Sequence, residues 1–101
     1  VKHVCAEMAA AVETSRGLVR HAARNIDSGC ESYLLDSMLT KSHLDEVGRF
    51  VSKYATEVHG GVGLTDELGL HYWFKRIWFN RVLLGAPEQV RAEAASIQGL
   101  V

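Results

Sequence analysis

The chain has 101 residues, 48% of them hydrophobic and 23% charged, with a formal net charge of −1. That length suits one domain burying roughly two-thirds of its unfolded surface. The near-neutral balance argues against a general nucleic-acid or membrane-surface binder, which is usually clearly basic. The two cysteines, Cys5 and Cys30, have no metal spacing, and a helical core does not need a disulfide between them, so a reducing, cytoplasmic setting is expected. No apolar run approaches the ~20 residues of a membrane span, and no signal peptide is visible. Because the first residue is Val1 rather than methionine, the expectation is that residues are missing or that this is a segment of a longer protein.

In chain order, Val1, Cys5, Met8, Val12, Ser15, Val19, Ala22 and Ile26 step by four and three, which predicts a first helix holding one face toward a partner. "DSGCE" then breaks the pattern, with Gly29 suited to a helix C-terminus. A second helix is predicted from Tyr33, and its later half is defined by Leu44, Val47, Val51, Tyr54 and Val58. Within it, "LTKSHLDE" admits two readings. Thr40 or Ser42 can cap a fresh helix with Asp45 completing an S-x-x-D box, or one long helix can run through, which is the reading we favour. Two helices of about 26 residues would each be ~40 Å long.

Gly60 ends the second helix, and Thr65 is the predicted N-cap of a third, with Asp66 and Glu67 in its first turn. Leu70, Trp73, Phe74, Ile77, Trp78, Arg81 and Val82 follow, and Gly85 is read as the stop. Pro87 opens a fourth helix, "PEQVRAEAASIQG". The fold class expected over residues 1–101 is therefore all-α, a single antiparallel bundle of three to four helices.

The candidate chemistry is sparse. His3, His21, His43, His59 and His71 share no ligand spacing, so they read as scattered rather than metal-binding. "HYWFKRIWFNR" mixes aromatic and basic residues, but Trp73 with Ile77 and Phe74 with Trp78 are i,i+4 pairs, as expected of core or interface packing rather than base stacking. No nucleophile elbow or Cys–His arrangement is visible. "HGGVG" is not a dinucleotide fingerprint, since a helix precedes it. It does place bare backbone ahead of a helix N-terminus, where an anion can approach, although a plain helix-to-helix turn explains it more simply.

Beyond the residues themselves, the chain resembles the C-terminal helical domain of the acyl-CoA dehydrogenase family over most of its length. The similarity runs through "VKHVCAEMAAAVETSRGLVRHAARNID", including Ala6-Glu7-Met8 and Arg16, through Lys41, and most specifically through "ATEVHGGVGLTDE" and "LHYWFKRI". The resemblance implies the C-terminal segment of a longer flavoprotein that dehydrogenates an acyl-CoA thioester between its α and β carbons and passes electrons to an electron-transfer flavoprotein. It also implies a FAD shared with a neighbouring subunit and upstream domains, approached here by Glu57, Val58, His59, Gly60 and Gly61. A homo- or hetero-oligomer packed through helix faces is expected as well.

Two departures from the family pattern stand out. Glu57 replaces the glutamine of many relatives, and a carboxylate repels a diphosphate. Leu84 occupies the position where many relatives carry the glutamate base of an E-G-T motif, and leucine accepts no proton, so no catalytic residue is expected within this segment. Three readings follow: the C-terminal domain of a FAD-dependent dehydrogenase, a non-catalytic subunit of a heteromeric one, or a free-standing helical bundle with an interaction role and no enzyme activity.

Overall fold

The first two helices are long because little in their sequence interrupts them. In the computed structural model, which describes residues 2–60 and 69–100, α1 spans Lys2–Ser28 and α2 spans Tyr33–His59. The alanines at 6, 9, 10, 11, 22 and 23 favour the first of these. It closes at Gly29, whose φ of +71° is open to glycine at little cost. There the Cys30 N–H bonds the Asn25 carbonyl at 3.0 Å and the Gly29 N–H bonds that of Ile26 at 3.2 Å, a Schellman closure. α2 runs unbroken through "LTKSHLDE", as favoured from the sequence. Thr40 and Asp45 are buried within it, so neither Thr40 nor Ser42 starts a helix and Asp45 completes no capping box.

The shorter helices depart from expectation at their ends. α3 spans Leu70–Val82, with Gly69 at φ +65° as its N-cap, because a left-handed residue there blocks helical continuation from upstream. Thr65, the expected cap, lies outside the described residues, as do Asp66 and Glu67. The helix ends before Gly85, since Leu83 is already extended and Leu84 stands at φ +64°. α4 spans Pro87–Ile97 and has proline in its first turn, as predicted. The described residues thus form an all-helical antiparallel arrangement, 46 × 23 × 23 Å, with α2 as its spine and α1, α3 and α4 packed upon it.

The core is thin. Among the described residues its buried hydrophobics are Ala22, Val90 and Ala94, joined by buried Ser15, Thr40 and Asp45, and no large side chain is fully enclosed. On α1 the face turned to α2 is Val4, Met8, Ala11, Ser15, Leu18, Ala22 and Asn25. This corrects the stripe predicted from spacing: Met8, Ser15 and Ala22 belong to it, whereas Cys5, Val12, Val19 and Ile26 form an exposed row beside it. The reason is that small residues such as Ala11 and Ser15 carry the close contact with α2, and Ser15 turns its hydroxyl to the Ala11 carbonyl at 2.8 Å. On α3, Leu70, Phe74, Ile77 and Arg81 turn inward, whereas Trp73 (68% exposed) and Trp78 (52% exposed) flank that face without burial. The two predicted aromatic pairs are therefore each split between inside and outside.

Candidate functional site

Of the residues expected at the cofactor, Glu57, Val58, His59 and Gly60 stand together at the C-terminal end of α2, and Gly61 lies outside the described residues. Glu57, His59 and Gly60 are exposed and Val58 is half-buried. His59 Nδ1 donates to the Ala55 carbonyl at 2.8 Å, so in the neutral ring Nε2 is left as an acceptor. The Gly60 N–H is spent on the Glu57 carbonyl. Gly60 sits at φ +57° and ψ −139°, and a Cβ there would meet nothing within 4 Å, so a ligand meets bare backbone.

These groups are rich in acceptors. The Glu57 carboxylate, the negative end of the α2 dipole and the imidazole Nε2 suit hydroxyl and amino donors, such as those of an adenosine. They do not suit a diphosphate, whose donors would have to come from beyond Gly60. The four described residues thus fit the nucleoside end of a dinucleotide.

The second candidate region is the turn between α3 and α4. Leu84 there is 93% exposed and is the one non-glycine residue with positive φ among the described residues. Such a conformation costs a leucine about 1–2 kcal/mol, so its surroundings must hold it. The helix ends on either side of it are fixed by Lys41 and by Asp45 with Arg81 and Arg91. Lys41 Nζ donates to the carbonyls of Arg81 (3.0 Å) and Asn80 (3.4 Å), satisfying the negative end of α3. Asp45, with a side chain only 4% exposed, accepts from Arg81 Nε and, at 3.3 Å, from Arg91 Nη2. One buried carboxylate on α2 therefore ties α3 and α4 together. Behind the turn, Pro87 and Val90 are buried, and a Cβ on Gly85 would lie 3.2 Å from the Val90 side chain. A cavity of about 390 Å³ opens beside the turn, lined by Lys41, Asp45, Ile77, Arg81, Leu83 and Leu84 among others.

A signal for this network was present in the sequence. Arg81 falls in register with the inward residues Leu70, Phe74 and Ile77, and an arginine on a buried row needs an acid opposite it. The two arginines of α3 also meet aromatic rings, Arg76 over Phe79 at 5.5 Å and Arg81 over Trp78 at 4.3 Å. They stack on the protein's own aromatic rings. Among the described residues, no group of three His, Cys, Asp or Glu side chains could hold a metal ion, and Cys5 and Cys30 are free thiols. Among the described residues, no helix is long and apolar enough to cross a membrane.

The family described as "Acyl-CoA dehydrogenase, C-terminal domain" matches residues 1–96, that is, all four helices. The chain belongs to the acyl-CoA dehydrogenase family. A relative in Geobacter metallireducens, named cyclohex-1-ene-1-carbonyl-CoA dehydrogenase, is 30% identical over 91 residues, covering 90% of this chain and 24% of its own length. The chain therefore spans about a quarter of that curated relative. No solved structure matches it significantly.

Proposed function

We propose that this chain is the C-terminal domain of a FAD-dependent acyl-CoA dehydrogenase, packing subunits together and completing part of the FAD site. The observation that carries the proposal is the family match across every helix. The name of the Geobacter relative supports a coenzyme A thioester as the substrate class. Glu57, His59 and Gly60 would hold the adenosine end of FAD by accepting from its hydroxyl and amino groups, and Gly61 would let the backbone come close. When bound, FAD supplies a hydride acceptor for α,β-dehydrogenation. Electron-transfer flavoprotein would be the onward acceptor, and the location would be cytoplasmic. The outer face of α3, with Tyr72, Trp73, Phe79 and Val82 exposed among its polar residues, supports subunit packing, since clustered exposed large apolar side chains ordinarily mark a contact surface.

A second reading, a non-catalytic subunit of a heteromeric dehydrogenase, is favoured by the α3–α4 turn. Leu84 accepts no proton, Asp45 nearby is committed to two arginines, and Glu88 sits exposed in the first turn of α4. On either reading this domain contributes no base from that turn.

The test is the visible absorption spectrum of the complete gene product, followed by titration with a panel of acyl-CoA thioesters. A yellow protein bleached by one thioester is the expected result. Flavin acquired only on mixing with a second subunit would shift the assignment to the heteromeric reading, and a protein colourless with every partner would refute both. In the complete protein, Gly61→Val should lower FAD content with little loss of helicity by circular dichroism, and undiminished FAD would sink the proposed contact.

A further inference from the structure

The turn between α3 and α4 holds a conformation that its own sequence disfavours. Leu83 stands at φ −62° and ψ 127°, Leu84 at φ +64°, and the Gly85 N–H donates to the Val82 carbonyl at 3.2 Å. These values describe a type II β-turn over residues 82–85, a class that asks for glycine or asparagine at its third position. Leucine occupies that position here, and glycine stands one place later, where a type I turn favours it. Rotating the single peptide plane between Leu83 and Leu84 converts one turn into the other. The rotation keeps the Gly85-to-Val82 bond, leaves both ends of the turn in place and returns Leu84 to negative φ.

The surroundings fix the ends of this turn and not its middle. Lys41 holds the carbonyls of Asn80 and Arg81, the Asp45 carboxylate holds Arg81 and Arg91, and Pro87 and Val90 are buried. Leu84 itself is almost wholly exposed, so its own packing does not offset the backbone strain. Beside it lies the cavity of about 390 Å³, with Leu44, Gly48, Ile77 and Leu83 among its walls. The charged groups of that wall, Lys41, Asp45 and Arg81, are already bonded within the fold, so the space suits an apolar group. We infer that the turn is a two-position switch. In the type II position Leu84 stands in solvent and the cavity is open. In the type I position the peptide plane has flipped, the strain is relieved, and the isobutyl group lies against Leu44 and Ile77, closing the cavity from within. The occupant is a residue of this same turn, so the switch requires no second molecule and does not depend on the flavin reading. A ligand entering the cavity must first displace Leu84, and its apparent affinity is scaled by the fraction of chains in the type II position.

Four variants of the complete natural chain, observed by amide and methyl NMR, test the switch. Leu84→Gly and Leu84→Asn tolerate positive φ and should hold the type II turn, whereas Leu84→Val and Leu84→Ile resist it and should hold type I. Position 84 is exposed, so the fold tolerates all four. The Gly85 amide and Ile77 δ-methyl signals of the unaltered protein should fall between those of the two classes, or appear as both sets. Its Leu84 methyl groups should also show nuclear Overhauser contacts to the methyl groups of Leu44 and Ile77. Signals that coincide with one class alone, or that are the same in all four variants, would overturn the exchange. Leu84 contacts to residues outside this domain, with none to Leu44 or Ile77, would overturn the closure and assign the leucine to an interface.

Discussion

The corner where α4 meets α2 and the outer side of α1 and α3 are built from similar helices, yet they end in opposite conditions. At the corner Val90, Ala94 and Pro87 are buried, a carboxylate joins two guanidinium groups, and a lysine closes the end of α3. Across the molecule, Val12, Val19 and Ile26 on α1 and Tyr72, Trp73 and Phe79 on α3 stay open to solvent. A chain of this size completes one core and leaves the rest of its apolar surface unburied. The contrast teaches where the single chain stops being sufficient. The corner stabilises this domain, and the open faces are the material for contact with something else.

The comparison can be broken most directly at Asp45. Asp45→Ala leaves the largely buried Arg81 guanidinium without its carboxylate, while Arg91 keeps Glu46 at 3.7 Å, and should cost about 3 kcal/mol, read as a lower urea midpoint at unchanged slope. Trp73→Ala on the open side of the dissociated protein should change stability by less than about 0.5 kcal/mol. Equal losses at the two positions would erase the distinction. A smaller effect is expected where α2 meets α3. A Cβ at Gly48 would lie 2.8 Å from Ile77 Cγ2, so Gly48→Ala should destabilise by about 1 kcal/mol, the helix-propensity gain offsetting part of the overpacking. Combined with Ile77→Ala, the loss should be less than the sum of the two single changes.

The smallest effect belongs to the turn between α1 and α2. Hydrogen bonds from Ser32 and then Asn25 hold the Asp36 carboxylate below its ordinary value of 3.8. The folded chain therefore binds this proton less readily than the unfolded one. The stabilisation is fully present above pH 3.8 and is lost as pH falls through that value toward the lower folded one. Asp36→Asn should accordingly flatten the dependence of stability on pH in that acid window, measured by denaturation at a series of pH values. An unchanged slope would mean that the turn contributes nothing measurable.

Much of the fold was legible in the sequence because its boundaries rest on local chemistry. Gly29 closes α1, α2 begins at Tyr33 and runs unbroken, and Pro87 opens α4. Facing was harder to read. On α1 the large residues Val12 and Val19 advertise a stripe, but the contact with α2 is made by Ala11, Ser15 and Ala22, whose small side chains let the helices approach. Asp45 looked like a capping residue because a hydroxyl precedes it by three, and only the arrival of Arg81 and Arg91 from distant helices gives it another role. At the candidate site, the assignment of Glu57 to Gly60 rests on resemblance. The left-handed turn at Leu84 was not legible, since a leucine carries no local preference for that conformation.

The Asp45 contacts also bear on the order in which the chain acquires its structure. α1 and α2 are joined by four residues and pack along their length, so their pairing needs only a short loop to close. Asp45 meets Arg81 across 36 residues and Arg91 across 46, and closing longer loops costs more entropy before any contact compensates for it. This predicts that the hairpin forms first, with the Asp45 carboxylate still hydrated, an order that earlier hydrogen-exchange protection of α1 and α2 than of α4 would check. Dehydration of that carboxylate waits for α3 and α4, which makes the last step of folding the one that removes a charge from water.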